Sequence, residues 1–174
     1  MTIKLPTLKL IPRNVAAEPH TSAASPQSLA KGEHTMGLVY ANIEIISGDD
    51  LTLYAKGYIK EDEVKRIAVS ALVDSGAYML SINERVKNQL GLRVLDKQFA
   101  EFADGRVLEL EVVGPIEIRF ENRRTTVDAM VLPADAEILL GSIPMEDMDV
   151  LIDPKQQRLI VNPAHPYVAQ KYLK

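Results

Sequence analysis

Residues 71–77 read Ala71-Leu72-Val73-Asp74-Ser75-Gly76-Ala77, an apolar strand that runs straight into a carboxylate, a hydroxyl and a glycine. The preceding stretch, Arg66 to Val73, is rich in β-branched and small apolar residues and predicts a strand. Gly76 permits a tight backbone turn close to the Asp74 side chain, and the Ser75 hydroxyl can donate to that carboxylate. Upstream, GLVYANIEII (37–46) and LTLYAKGYI (51–59) read as two further strands joined by a Ser47-Gly48-Asp49-Asp50 turn. The charged run Lys60-Glu61-Asp62-Glu63 reads as a solvated loop. Downstream, SINERVKNQLGL predicts a short helix in which Asn83 is the cap, Val86 and Leu90 share a face, and Gly91 ends the element.

Two hairpins follow. RVLDKQFAEFA and RVLELEVV flank Asp104-Gly105, a strong short-range hairpin signal between alternating strands. PIEIRFE (115–121) and TTVDAMVL (125–132) flank Asn122-Arg123-Arg124. The chain then offers AEILLGS, a helix-like PMEDMD, and the strands VLID and RLIV turned by Pro154 to Gln157. The predicted fold is all-β, a closed β-barrel with one or two short helices.

The composition narrows the chemistry. A chain of 174 residues fits one modest domain with a flexible extension. Its zero cysteines exclude disulfides, thiolate metal sites and a cysteine nucleophile. A net charge of −4, no tryptophan and 5% aromatic residues argue against nucleic acid as a partner. No apolar run approaches the roughly 20 residues a bilayer requires, so no membrane association is expected. His20, His34 and His165 are too scattered to converge on a metal. Asp147, Asp149 and Asp153 lack the glycine and glutamate that a calcium loop of that spacing needs, and read as surface charges. No metal and no cofactor are expected.

Residues 1–35 contain four of the ten prolines and a polar stretch without apolar period, and are expected to form a flexible arm. The arm carries +2, which leaves −6 on residues 36–174. The expected division is arm 1–35, domain 36–165 and tail 166–174. The N-terminus is broken by Pro6 and Pro12 and lacks a signal-peptide core, so a cytoplasmic location is expected. Met36 offers a second start, and LKLIP (8–12) offers apolar residues for self-cleavage.

ALVDSGA, then a hairpin tipped by FADGRV, then ILLGSIPMEDMDVLIDPKQQRLIVNP: in this order the chain resembles the retropepsin-like aspartic proteases over about residues 37–163, and specifically their bacterial-type single-domain members. The resemblance implies a barrel of the acid-protease type. Asp74, Ser75 and Gly76 would form the catalytic turn, and Ala77 with the hairpin residues Ala103, Asp104 and Gly105 would contact substrate. Leu139 and Leu140 would pack beneath the turn. Many retroviral relatives pair an acidic residue after the turn with an arginine after Leu-Leu-Gly; this chain has Tyr78 and Ser142 there. The hairpin tip also lacks the family's run of glycines.

Amide hydrolysis without a metal or covalent nucleophile needs one group to deprotonate water and another to protonate the departing nitrogen. Two carboxylates sharing a proton do both. This chain has one Asp-Ser-Gly turn, and 139 residues beyond the arm suffice for one lobe. The resemblance therefore implies a homodimer in which Asp74 of each copy meets across a two-fold axis, acting on a peptide or protein substrate. The alternative is a non-catalytic dimeric β-barrel interaction module with the same fold.

Overall fold

A computed structural model describes residues 37–133, 135–171 and 173. The expected arm, with His20, His34, the LKLIP segment and Met36, lies outside the described residues. The elements in chain order are β1 (Tyr40–Ser47), α1 (Gly48–Ala55), β2 (Arg66–Val73), β3 (Leu80–Asn83), α2 (Glu84–Leu90), β4 (Arg93–Glu101), β5 (Val107–Phe120), β6 (Arg123–Leu132), β7 (Leu139–Leu140), α3 (Ser142–Met148), β8 (Val150–Asp153) and β9 (Arg158–Val161).

The chain is mostly β, as expected. The strands run in the order β4-β5-β6-β3-β7-β2-β1-β9-β8, and an added β5–β1 pairing joins β5, β6, β3, β7, β2 and β1 into a ring of hydrogen-bonded strands. Alternate residues of each strand point inward. Ile43, Ile45, Leu80, Ile82, Ile116, Ile118 and Leu140 fill the core, each at most 2% exposed. At about 1.5–3 kcal/mol for each fully buried aliphatic side chain, this interior dominates the stability of the fold.

Helix α2 forms over the Asn83-capped part of the helix expected across 81–92, while Ser81 and Ile82 belong to strand β3 instead. The Asn83 side chain accepts the Val86 N–H at 3.1 Å, and Val86 and Leu90 are fully buried. Gly91 closes the helix in the left-handed conformation at φ 61°.

Helix α1 corrects the strand expected over residues 51–59. Ser47 is an N-cap rather than a turn residue: its hydroxyl accepts the Asp50 N–H at 3.2 Å. Asp49 and Asp50 then sit in the first turn, where the positive end of the helix dipole favours carboxylates. The Asp50 carboxylate is also bound by the backbone N–H and the ammonium of Lys65, both at 3.0 Å. Gly48 is required by proximity, since a Cβ there would lie 2.8 Å from the Pro115 carbonyl oxygen. Three α-helices are present among the described residues, with one 3-10 turn at Glu61–Glu63, rather than the one or two helices expected.

The segments 106–113 and 115–121, expected as separate strands, form the single strand β5 of 14 residues, Val107–Phe120. Its first half pairs with β4 alone, and from Val112 onward it also pairs with β6. From Ile116 it is joined by β1 on its other side. The register with β6 shifts between Val113 and Ile116, where Pro115 has no N–H to offer the ladder. No described helix is long and apolar enough to cross a membrane.

Candidate active site

The Asp74 turn sits where three segments meet. Strand β2 runs parallel to β7, with Leu72 opposite Leu139 and Val73 opposite Leu140. The ladder continues past the strand end: the Asp74 N–H donates to the Leu140 carbonyl at 3.1 Å. On the far side of the turn, the Ser142 N–H donates to the Ala77 carbonyl at 2.8 Å and the Ile143 N–H to the Tyr78 carbonyl at 3.1 Å. The segment 139–143 thus grips the turn from both ends. Gly141 is needed because a Cβ would press on the Met79 carbonyl oxygen and lie 2.8 Å from that of Ala77.

Within the turn, the Gly76 N–H donates to Asp74 Oδ1 at 2.8 Å and the Ala77 N–H to the Asp74 carbonyl at 3.1 Å. A Cβ at position 76 would stand 3.1 Å from the same Oδ1, so glycine leaves the carboxylate its place. Ser75 is exposed, and no hydrogen bond joins its hydroxyl to Asp74; the Gly76 backbone supplies the orienting donor instead.

Asp74 is half-buried and opens onto a cavity of about 760 Å³. The β4 strand and its turn, Gln98 to Ala103, form one wall, while Met79, Ser81, Met130, Leu132 and Leu139 form the other. Of the residues singled out in the sequence, Asp74, Gly76, Ala77, Tyr78, Ala103 and Leu139 line this cavity. Ser75, Asp104 and Gly105 do not.

Asp104 and Gly105 instead build the hairpin tip. Gly105 takes φ +80° and donates its N–H to the Phe102 carbonyl at 2.8 Å. Asp104 accepts the Arg106 N–H at 3.0 Å and its guanidinium at 2.6 Å, and that guanidinium lies 5.9 Å from the centre of the Phe102 ring. The tip is held by its own side chains, a role that glycines could not fill.

Leu140 is fully buried beneath the turn. Leu139 is not: it is half-buried and lines the cavity, because a two-residue strand must point its side chains to opposite faces. Ser81, Met130 and Leu132 were not evident in the sequence, since their places follow from the β3–β6 and β3–β7 registers rather than from local pattern.

Asp147 and Asp149 are not simple surface charges. Asp149 ends α3 at φ 53°, and its carboxylate is bound by the Gln170 N–H at 2.9 Å, the Asn162 side-chain amide at 2.7 Å and His165 Nδ1 at 2.7 Å. The Gln170 bond, followed by that from Asn162, lowers its pKa to about 2. Asp147 is bound by Lys171 and the Thr125 hydroxyl, and the Lys171 bond above all lowers its pKa. Gln170 and Lys171, read as tail, therefore reach α3 and its cap. Asp153 accepts the Lys155 N–H at 3.0 Å and the Gln156 N–H at 3.1 Å and shapes its turn. Among the described residues no group of three metal-ligating side chains converges. The Ser142 hydroxyl donates to the Tyr78 carbonyl at 3.5 Å, so these two neutral residues are neighbours.

A protein-family comparison matches residues 63–147 to the family described as gag-polyprotein putative aspartyl protease. No curated protein matches the chain. The matched segment takes in β2, the Asp74 turn, the β4–β5 hairpin and the Leu-Leu-Gly clamp, and of these the turn, the β4 side of the hairpin and Leu139 line one cavity. Over residues 63–147 the chain thus matches the retropepsin-like aspartyl protease family.

Proposed function

We propose that the protein is an aspartic endopeptidase, a single-domain member of its family, that hydrolyses peptide bonds as a homodimer. The observation that carries this reading is the Asp74 carboxylate, held by the Gly76 N–H at 2.8 Å at the edge of a cavity of about 760 Å³ that the β4 side of the hairpin walls. One carboxylate cannot serve as base and acid in the same step. Asp74 of a second copy, brought across a two-fold axis, supplies the other, and the like charges hold one proton between them. The unprotonated carboxylate takes a proton from water as its oxygen bonds to the peptide carbon. The protonated one gives its proton as the carbon–nitrogen bond breaks. The two apparent pKa values belong to the pair rather than to either residue.

In this reading Ser75 and Gly76 complete the turn, Ala77 and Ala103 touch the peptide, and Asp104 and Gly105 shape the hairpin that closes over it. The ring of strands acts as a closed barrel of the acid-protease type, domain 36–165 carries the activity, and the arm 1–35 and tail 166–174 flank it. The site works in the cytoplasm without cofactor, metal, nucleic acid or membrane. The test is cleavage of a diverse peptide mixture by the full chain from about pH 4 to 7, beside Asp74→Asn, with the oligomeric state measured by ultracentrifugation. Cleavage by a dimer that vanishes in the variant is expected. Undiminished cleavage by Asp74→Asn overturns the assignment, and a dimer that cuts nothing returns the chain to an interaction module.

A further inference from the structure

Strand β3 alternates strictly. Leu80 and Ile82 enter the core fully buried, and Ser81 and Asn83 face the other way. Asn83 is committed on both sides of its amide, accepting the Val86 N–H and donating to the Ala136 carbonyl at 3.0 Å. Ser81 has no such duty. It is 8% exposed, it lines the Asp74 cavity, and none of the described side-chain hydrogen bonds engages its hydroxyl. Its cross-strand partners are Met130 on β6 and Leu139 on β7, both lining the same wall. A lone hydroxyl is thus set in an apolar wall and open only to the cavity.

We infer that Ser81 selects a short uncharged polar side chain, Asn, Ser or Thr, at one position of the bound peptide; this rests on the peptide-binding part of the reading above. Leu139 separates Ser81 from Leu72, so these two residues lie two strand spacings, about 10 Å, apart, and Asp74 is two residues, about 7 Å, further along the chain. A peptide advances about 3.3 Å per residue, which places the selected side chain within about four residues of the bond cut. An apolar side chain in this pocket strips water from the hydroxyl and returns no partner, and a polar one replaces the lost hydrogen bond. The surrounding Met130 and Leu139 favour a short side chain whose stem is apolar over a charged one.

The experiment passes a randomised decapeptide mixture over immobilised full-length Asp74→Asn, which binds without cutting, and sequences what is retained. Enrichment of Asn, Ser and Thr over Leu and Val by about tenfold at a single position is expected. Adding Ser81→Ala or Ser81→Val brings that ratio near one, and Ser81→Thr, matched in shape to Val, preserves it. Retention of no peptide, no polar enrichment at any position, or enrichment unchanged by Ser81→Ala and Ser81→Val overturns the inference. Cleavage is read separately with Asp74 intact. A protein that cuts nothing sinks the proteolytic reading while the retained peptides still decide the role of Ser81.

Discussion

The backbone N–H of Asp74 reaches the carbonyl of Leu140 at 3.1 Å, so the residue proposed to carry the chemistry is registered on a strand more than 60 positions away. That strand is two residues long and is followed at once by the glycine that the turn presses against.

Gly141→Ala is therefore expected to be severe. The added methyl meets the carbonyl oxygens of Met79 and Ala77, neither of which can retreat without breaking the turn. Overpacking of this kind costs about 1–3 kcal/mol. A lowered melting temperature together with lost cleavage is the expected result, and an unchanged melting curve would show that the clamp yields.

Gly76→Ala separates function from stability. Its methyl would stand 3.1 Å from Asp74 Oδ1 on an exposed turn, displacing the carboxylate while leaving the core untouched. Cleavage should fall about 100-fold, as expected when a reacting group moves by about 1 Å, with little change in melting temperature.

Asn83→Ala removes the α2 cap and the bond to Ala136 together. A loss of about 1–2 kcal/mol in denaturant midpoint experiments is expected. Asn83→Asp, which keeps the acceptor, should recover most of the helix-capping share.

Acid should loosen the C-terminal clamp. The Asp149 pKa is lowered to about 2 by the Gln170 and Asn162 bonds, against about 3.9 for an unfolded aspartate. A depressed folded pKa contributes stability that is fully present above the unfolded value and lost as pH falls through the folded one. Melting temperature should thus decline between about pH 4 and pH 2. Asp149→Asn should lower it at pH 7 and flatten this decline, as read by thermal melts across the range.

Strand β2, helix α2 and the β4–β5 hairpin were legible because each rule that governs them is local, whereas the short strand β3 was absorbed into the expected helix. Asn83 and Gly91 bracket α2 as caps, and Asp104-Gly105 turns its hairpin. Helix α1 was not legible as a helix, because Leu51, Leu53 and Ile59 alternate like a strand and Ser47 signals a turn as readily as a cap. The helix is also tied by a long-range bond from the Lys65 N–H to Asp50, which no local pattern contains. The same limit applied at the cavity. Leu139 and Ser81 became neighbours only through β7, whose two residues are too few to show a period. Asp149 looked like solvent-facing charge because its partners, Asn162, His165 and Gln170, come later in the chain.

Strand β5 is a cantilever. Its inner end, Ile116 to Arg119, is clamped between β1 and β6, and its outer end, Val107 to Glu111, rests on β4 alone. A single covalent segment must then have two lifetimes, with amides that exchange slowly at the root and quickly at the tip. The hairpin over the cavity can flex without unzipping the ring that anchors it.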